Sequence, residues 1–141
     1  MKGTKMIKKI FIASFLFLSL AFITKVSFSQ EIYFCEGVTD NGKPTGESST
    51  FNIPSGGGYF YFLVRLPYNL NCYSVDYELY KVDTYNNTET YNTTISQDDM
   101  GKDWTWFWKK VTFYKTGYYH VYVKDCNGYT LTDGYVTVNW N

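Results

Sequence analysis

Short runs of alternating apolar and polar residues follow one another from residue 31 to residue 140 at roughly 8 to 12 residue intervals, each closed by Gly, Pro, Asn or Asp. A period of two puts alternate side chains on one face of a strand, and no stretch repeats apolar residues at the three-and-four spacing of a helix over three turns. The runs are 31–38, 49–53, 59–66, 74–82, 89–96, 105–114, 118–124 and 134–140. The breaks between them are chemically explicit. Asp40-Asn41-Gly42 and Asn127-Gly128 tolerate positive φ, Gly56-Gly57-Gly58 loosens a corner, and Pro67 removes a ladder donor. Alternation assigns Phe60, Phe62, Val64 and Leu66, then Val75, Tyr77 and Leu79, to inward faces. Val111 and Phe113, Tyr119, Val121 and Val123, and Val136, Val138 and Trp140 continue the set. The pattern predicts an all-β chain, an antiparallel β-sandwich of about seven or eight strands.

Residues 1–29 read differently. Lys2, Lys5, Lys8 and Lys9 precede an apolar run over 10–23, and Ser27 and Ser29 stand two apart before Gln30, the pattern of a secretory signal cleaved after Ser29. The domain expected after cleavage is 30–141, with no second apolar stretch long enough to span a membrane. Export to the periplasm, the cell surface or the medium follows. Five of the 13 basic residues and none of the 13 acidic ones lie in 1–29, so 30–141 carries eight against 13, five negative. An acidic domain without a basic stripe is a poor ligand for nucleic-acid phosphates, and Lys109-Lys110 is its only adjacent basic pair. The 25 aromatic residues of 30–141 can fill a core in a stretch poor in leucine.

Phe113, Gly117, Tyr119, Val121, Val123 and Asp125 resemble the F-x-x-x-G-x-Y-x-V-x-V-x-D pattern of the penultimate strand in bacterial immunoglobulin-like modules, including PKD-type domains. The resemblance covers about 15 residues plus the strand count, and the Trp-Asp-Phe-Gly-Asp-Gly segment of PKD domains is missing. It implies an immunoglobulin-like fold and a spacer, adhesion or ligand-binding role. It also implies which cysteines pair. Of Cys35, Cys72 and Cys126, the last two flank strands that are neighbours in the resembled fold, so the expected disulfide is Cys72 with Cys126 and Cys35 is left over.

Residue types that carry catalysis are sparse. His120 is the sole histidine, and alternation points it outward between Tyr118 and Tyr122, where a strand histidine is ordinary decoration. Asp98, Asp99 and Asp103 cluster in one loop, and Asp76 and Glu78 share a strand face, without anything that sets two carboxylates across a cleft. The loop acids and the Asp125-Cys126-Asn127-Gly128 turn could offer oxygens to calcium, but they lack EF-hand spacing and read better as turn chemistry. The same holds for the sequons at Asn86 and Asn92. The expectation is a protein that is not an enzyme and needs no metal or cofactor.

Trp104, Trp106 and Trp108 then stand out. On a regular strand with Phe107, Val111 and Phe113 inward, all three indoles face out, beside Tyr59, Tyr61 and Leu63 of the strand that neighbours them in the resembled topology. Five half-shown rings would expose roughly 400 to 600 Å², near the limit for a soluble monomer. A β-bulge at Lys109-Lys110 gives the other outcome, Trp106 and Trp108 in the core and no inward Lys109. On the first reading the chain is a module that recognises an extracellular glycan or protein through Trp104, Trp106, Trp108, Tyr59 and Tyr61. The alternative is a structural envelope protein in which the same rings or the edge strands join copies into a homo-oligomer.

Overall fold

The computed structural model describes residues 30–141; the expected signal segment lies outside the described residues. Among the described residues ten strands form in chain order. They are β1 (Glu31–Cys35), β2 (Gly37–Val38), β3 (Pro44–Thr45), β4 (Thr50–Ile53), β5 (Gly58–Arg65), β6 (Val75–Asp83), β7 (Thr88–Gln97), β8 (Trp106–Phe113), β9 (Gly117–Lys124) and β10 (Thr130–Trp140). Three of them make a sheet in the order β1-β5-β8, and five make another in the order β4-β10-β9-β6-β7. The chain is all-β among the described residues, as the alternation requires, and no helix is long and apolar enough to cross a membrane.

Both sheets turn their alternate apolar residues toward each other. Phe60, Phe62 and Val64 of β5 meet Val75, Tyr77 and Leu79 of β6 and Val121 and Val123 of β9 in one core. Aromatic rings knit the core: Phe60 stacks on Phe51 of the other sheet at 4.0 Å and on Phe113 of its own sheet at 4.9 Å, and the Phe62 and Tyr77 rings meet across the layers at 67° and 5.6 Å. Such contacts add about 0.5–1.5 kcal/mol each beyond the area they bury.

Three expectations change. The first run is not one strand: at Glu36 the chain leaves the sheet, and β2 and β3 close a small hairpin around the Asp40-Asn41-Gly42 turn, with Gly42 at φ 78°. Nor is the sandwich wholly antiparallel, because 46–49 carries the chain from the edge of one sheet to the other, where β4 runs parallel to β10. Finally, Trp140 is not inward. It takes the last paired position of β10, opposite Ile53, and is 47% exposed.

A disulfide joins Cys72 to Cys126, with Cα atoms 5.8 Å apart. It ties the β5–β6 loop to the β9–β10 turn, where Asp125 Oδ1 accepts the N–H groups of Asn127 and Tyr129. Cys35 stays reduced and fully buried, and burial pushes its thiol pKa up. A disulfide accords with an oxidising compartment.

Candidate functional site

β8 pairs with β5 in an unbroken antiparallel register from Trp106 opposite Arg65 to Phe113 opposite Gly58. No bulge interrupts it at Lys109-Lys110, so the register-shift alternative falls. Phe107, Val111 and Phe113 are buried while Trp104 and Trp108 are 41% and 45% exposed. The strand tolerates an inward-side Lys109 because that residue lies at the open edge of the sandwich, half-buried, where a long side chain reaches water along its stem.

The outer face is nevertheless not the continuous floor that five outward rings suggest. The β2–β3 hairpin folds over it. Gly42 seats on the Trp106 indole, where a Cβ would come within 2.5 Å of the ring, and the Arg65 guanidinium donates to the Gly42 carbonyl and holds the turn in place. Trp106 is therefore half-covered, and Leu63, outward by alternation, is fully buried. What remains open is Trp108 with Tyr61 and Tyr59 on one side and Trp104 on the other. These rings do not lie flat together: Trp108 meets Tyr61 at 71° and 5.4 Å, and Tyr61 meets Tyr59 at 88° and 6.1 Å. The Lys110 ammonium sits 3.8 Å over the Tyr59 ring, a cation–π contact.

Trp104 is placed by the loop before β8. Its carbonyl accepts from Leu70 N–H at 2.8 Å, its own N–H donates to Gly101, and its indole packs where a side chain on Gly101 would stand. Buried Met100 anchors the same loop, its N–H donating to Tyr73. Between Trp104 and Lys110, along the free edge of β8, runs a groove of about 800 Å³ that also takes in Asp103 and, from β7, Gln97. The Gln97 amide spans the gap between sheets. It accepts from the buried Tyr77 hydroxyl at 2.7 Å and donates to the Trp108 carbonyl at 2.9 Å.

A second cluster, which alternation alone does not disclose, covers the outer face of the five-stranded sheet. His120 does point outward, but it is 5% exposed and not surface decoration. Tyr135, directly opposite on β10, stacks on it at 3.9 Å, and Tyr122 leans over it at 4.0 Å. Its Nδ1 faces Glu89 and its Nε2 faces Asp133 at 2.6 Å. A carboxylate oxygen only accepts, so both contacts are hydrogen bonds when both ring nitrogens carry hydrogen. The His120 hydrogen bond, with a further one from the Tyr122 hydroxyl, holds the Glu89 carboxyl below its usual value. With both nitrogens occupied under two tyrosine rings, His120 is a fixed part of the sheet surface.

The remaining acidic residues are scattered. Asp76 accepts from Ser96, Glu78 lies 4.0 Å from Lys124, and among the described residues no three His, Cys, Asp or Glu side chains converge as metal ligands would. No family model matches the chain, and no curated protein matches it.

Proposed function

We propose that the chain is an exported, non-catalytic immunoglobulin-like module that binds an extracellular partner through the aromatic groove of β8, and that a protein surface fits this groove better than a glycan. The observation that carries the reading is that Trp104 and Trp108, rings that burial would otherwise claim, stand two-fifths exposed on the wall of a groove. Large exposed aromatics beside polar groups are the composition of interface hot spots. Beside the groove, which Tyr61 and Tyr59 do not line, the perpendicular stepping of these rings from Trp108 favours pockets for individual side chains over a flat bed for sugar rings.

The immunoglobulin-like assignment draws support from the order β1-β5-β8 against β10-β9-β6-β7, which follows strands A-B-E against G-F-C-C′ with nothing in the place of D beside β8. Tyr119, at the start of β9, sends its hydroxyl back to the Lys115 and Thr116 carbonyls in the manner of a tyrosine corner. The chain departs from antibody domains in its disulfide, which joins loop ends instead of the B and F strands, and in Tyr77 taking the central position on β6. The clamped state of His120 supports the non-catalytic reading, since a general base needs a free nitrogen.

Retention of cell-envelope fractions by the immobilised protein tests the reading, with protein and polysaccharide fractions run separately. Protein retained by wild type and by Tyr129→Ala, an exposed tyrosine of the β9–β10 turn, but not by Trp108→Ala is the expected result. Retention of polysaccharide alone would move the ligand to a glycan. Retention indifferent to Trp108 would remove the groove from the function.

A further inference from the structure

We infer that the partner segment taken up at this groove is an extended acidic peptide that joins the free edge of β8 as an added strand; the inference rests on the aromatic groove being the binding face. The Thr105 carbonyl accepts from Leu66 N–H at 2.7 Å, one step beyond the unshifted β5–β8 register. Hydrogen-bonded pairs alternate along an antiparallel ladder. Phe107, Lys109 and Val111 therefore turn their backbone groups to β5, and Trp106, Trp108, Lys110 and Thr112 turn theirs to the open side. The Gln97 amide reaching the Trp108 carbonyl from that side agrees with this assignment. β8 has β5 as its one sheet neighbour, so among the described residues the N–H and C=O of Trp106 and Lys110 face the groove without a protein partner. A row of alternating donors and acceptors is what a polypeptide in extended form completes, with pockets alongside for its alternate side chains.

Charge selects the strand. Lys109 and Lys110 sit at the middle of β8 on opposite faces, and among the described residues neither has a carboxylate within 4.0 Å. A second copy pairing β8 with β8 antiparallel about its centre would set Lys109 against Lys109, or Lys110 against Lys110, of its neighbour, and like charges directly opposite repel. Lysine in an edge strand is a known guard against self-pairing. Two consecutive acidic residues, one for each face, turn the same lysines into an attraction, with apolar residues opposite Trp106 and Trp108. Asp103 lines the far end of the groove and disfavours acid there, which leaves the acidic pair to the Lys109-Lys110 end.

The probe is the peptide Thr-Val-Glu-Glu-Val-Thr-Val-Thr, set beside its Lys-Lys analogue and a version N-methylated at alternate residues, titrated into the purified protein. Tryptophan emission and amide hydrogen exchange give the readouts. The Glu-Glu peptide should bind and slow exchange at the Trp106 and Lys110 amides. The Lys-Lys analogue should bind about tenfold more weakly or worse, and Lys109→Glu with Lys110→Glu should reverse that order. N-methylation should abolish the protection. Equal binding of the N-methylated peptide or of the Lys-Lys analogue overturns the inference. So does protection at Trp106 and Lys110 that grows with protein concentration alone, which would place a second copy on the edge. If no peptide binds while Trp108-dependent retention of a protein fraction persists, strand addition fails and the binding face stands; if both are lost, both fail.

Discussion

Gly42 lies against the face of Trp106, and the two residues decide together how much of the aromatic surface the solvent reaches. Gly42 needs its missing side chain twice, for φ 78° and for ring clearance. Gly42→Ala should therefore destabilise the protein by about 1–3 kcal/mol in denaturant unfolding, the cost of a strained φ plus a displaced contact. If the hairpin lifts, Trp106 emission shifts to the red and its quenching by acrylamide rises. An unchanged emission spectrum would mean that the hairpin does not roof the indole.

The Cys72–Cys126 bridge closes a loop of sequence separation 54, for which loop closure in the unfolded chain predicts about 4 kcal/mol. The double change Cys72→Ser and Cys126→Ser should lower the unfolding free energy by about that amount, a large share of what a domain of this size has. Cys35, buried, should stay unreactive to thiol reagents in the native protein in both backgrounds.

Acid should weaken the protein partly through Glu89. Its folded-state pKa is depressed, first by the His120 hydrogen bond, so its contribution is complete above the ordinary value of 4.5 and is lost as pH falls through the lower folded value. Unfolding free energies measured between about pH 6 and 3 should fall less steeply in Glu89→Gln than in wild type. Parallel curves would show that Glu89 does not contribute to acid sensitivity.

Gln97 holds two polar groups at once, and removing it has an asymmetric cost. Gln97→Leu strands the buried Tyr77 hydroxyl, at about 1–3 kcal/mol. Adding Tyr77→Phe removes the stranded group and should recover part of the loss, so the double-mutant cycle yields a favourable coupling between the two residues. Additive effects would separate Gln97 from the core.

Alternation made most of this fold legible, because a period of two is a local property and each face repeats it. Phe60, Phe62 and Val64, Tyr77, and Val121 and Val123 all lie where the pattern sends them. The cysteine pairing followed from the resemblance to immunoglobulin-like modules. What alternation cannot carry is the coverage of an outer face. Leu63 is an outward residue that is nevertheless buried, and Trp106 is roofed by a hairpin that begins inside what reads as the first strand, a roof that depends on Gly42 meeting a residue 64 positions later. For the same reason alternation sends His120 to the correct face but says nothing of its environment, since Glu89 and Asp133 reach it from two other strands. The β1-to-β4 sheet switch was illegible too, because residues 46–49 carry no periodicity.

The three clustered indoles should separate by cost as well as by exposure. Trp108 is 45% exposed, with the Tyr61 ring edge-on to it, so Trp108→Ala should cost less than Trp106→Ala, about 1 kcal/mol. Trp106, pressed between Arg65's strand and the Gly42 turn, leaves a void when truncated, so Trp106→Ala should cost about 2 kcal/mol or more. Acrylamide should quench Trp104, Trp108 and Trp140 readily, and Trp106→Phe should remove the shielded fraction of the emission. A binding role for the β8 groove needs this division, because a surface ring conserves little folding free energy and so leaves its exposure to be explained by what it touches. Should Trp108→Ala unfold the protein while Trp106→Ala does not, the assignment of roof and open wall along β8 is reversed and the groove lies elsewhere.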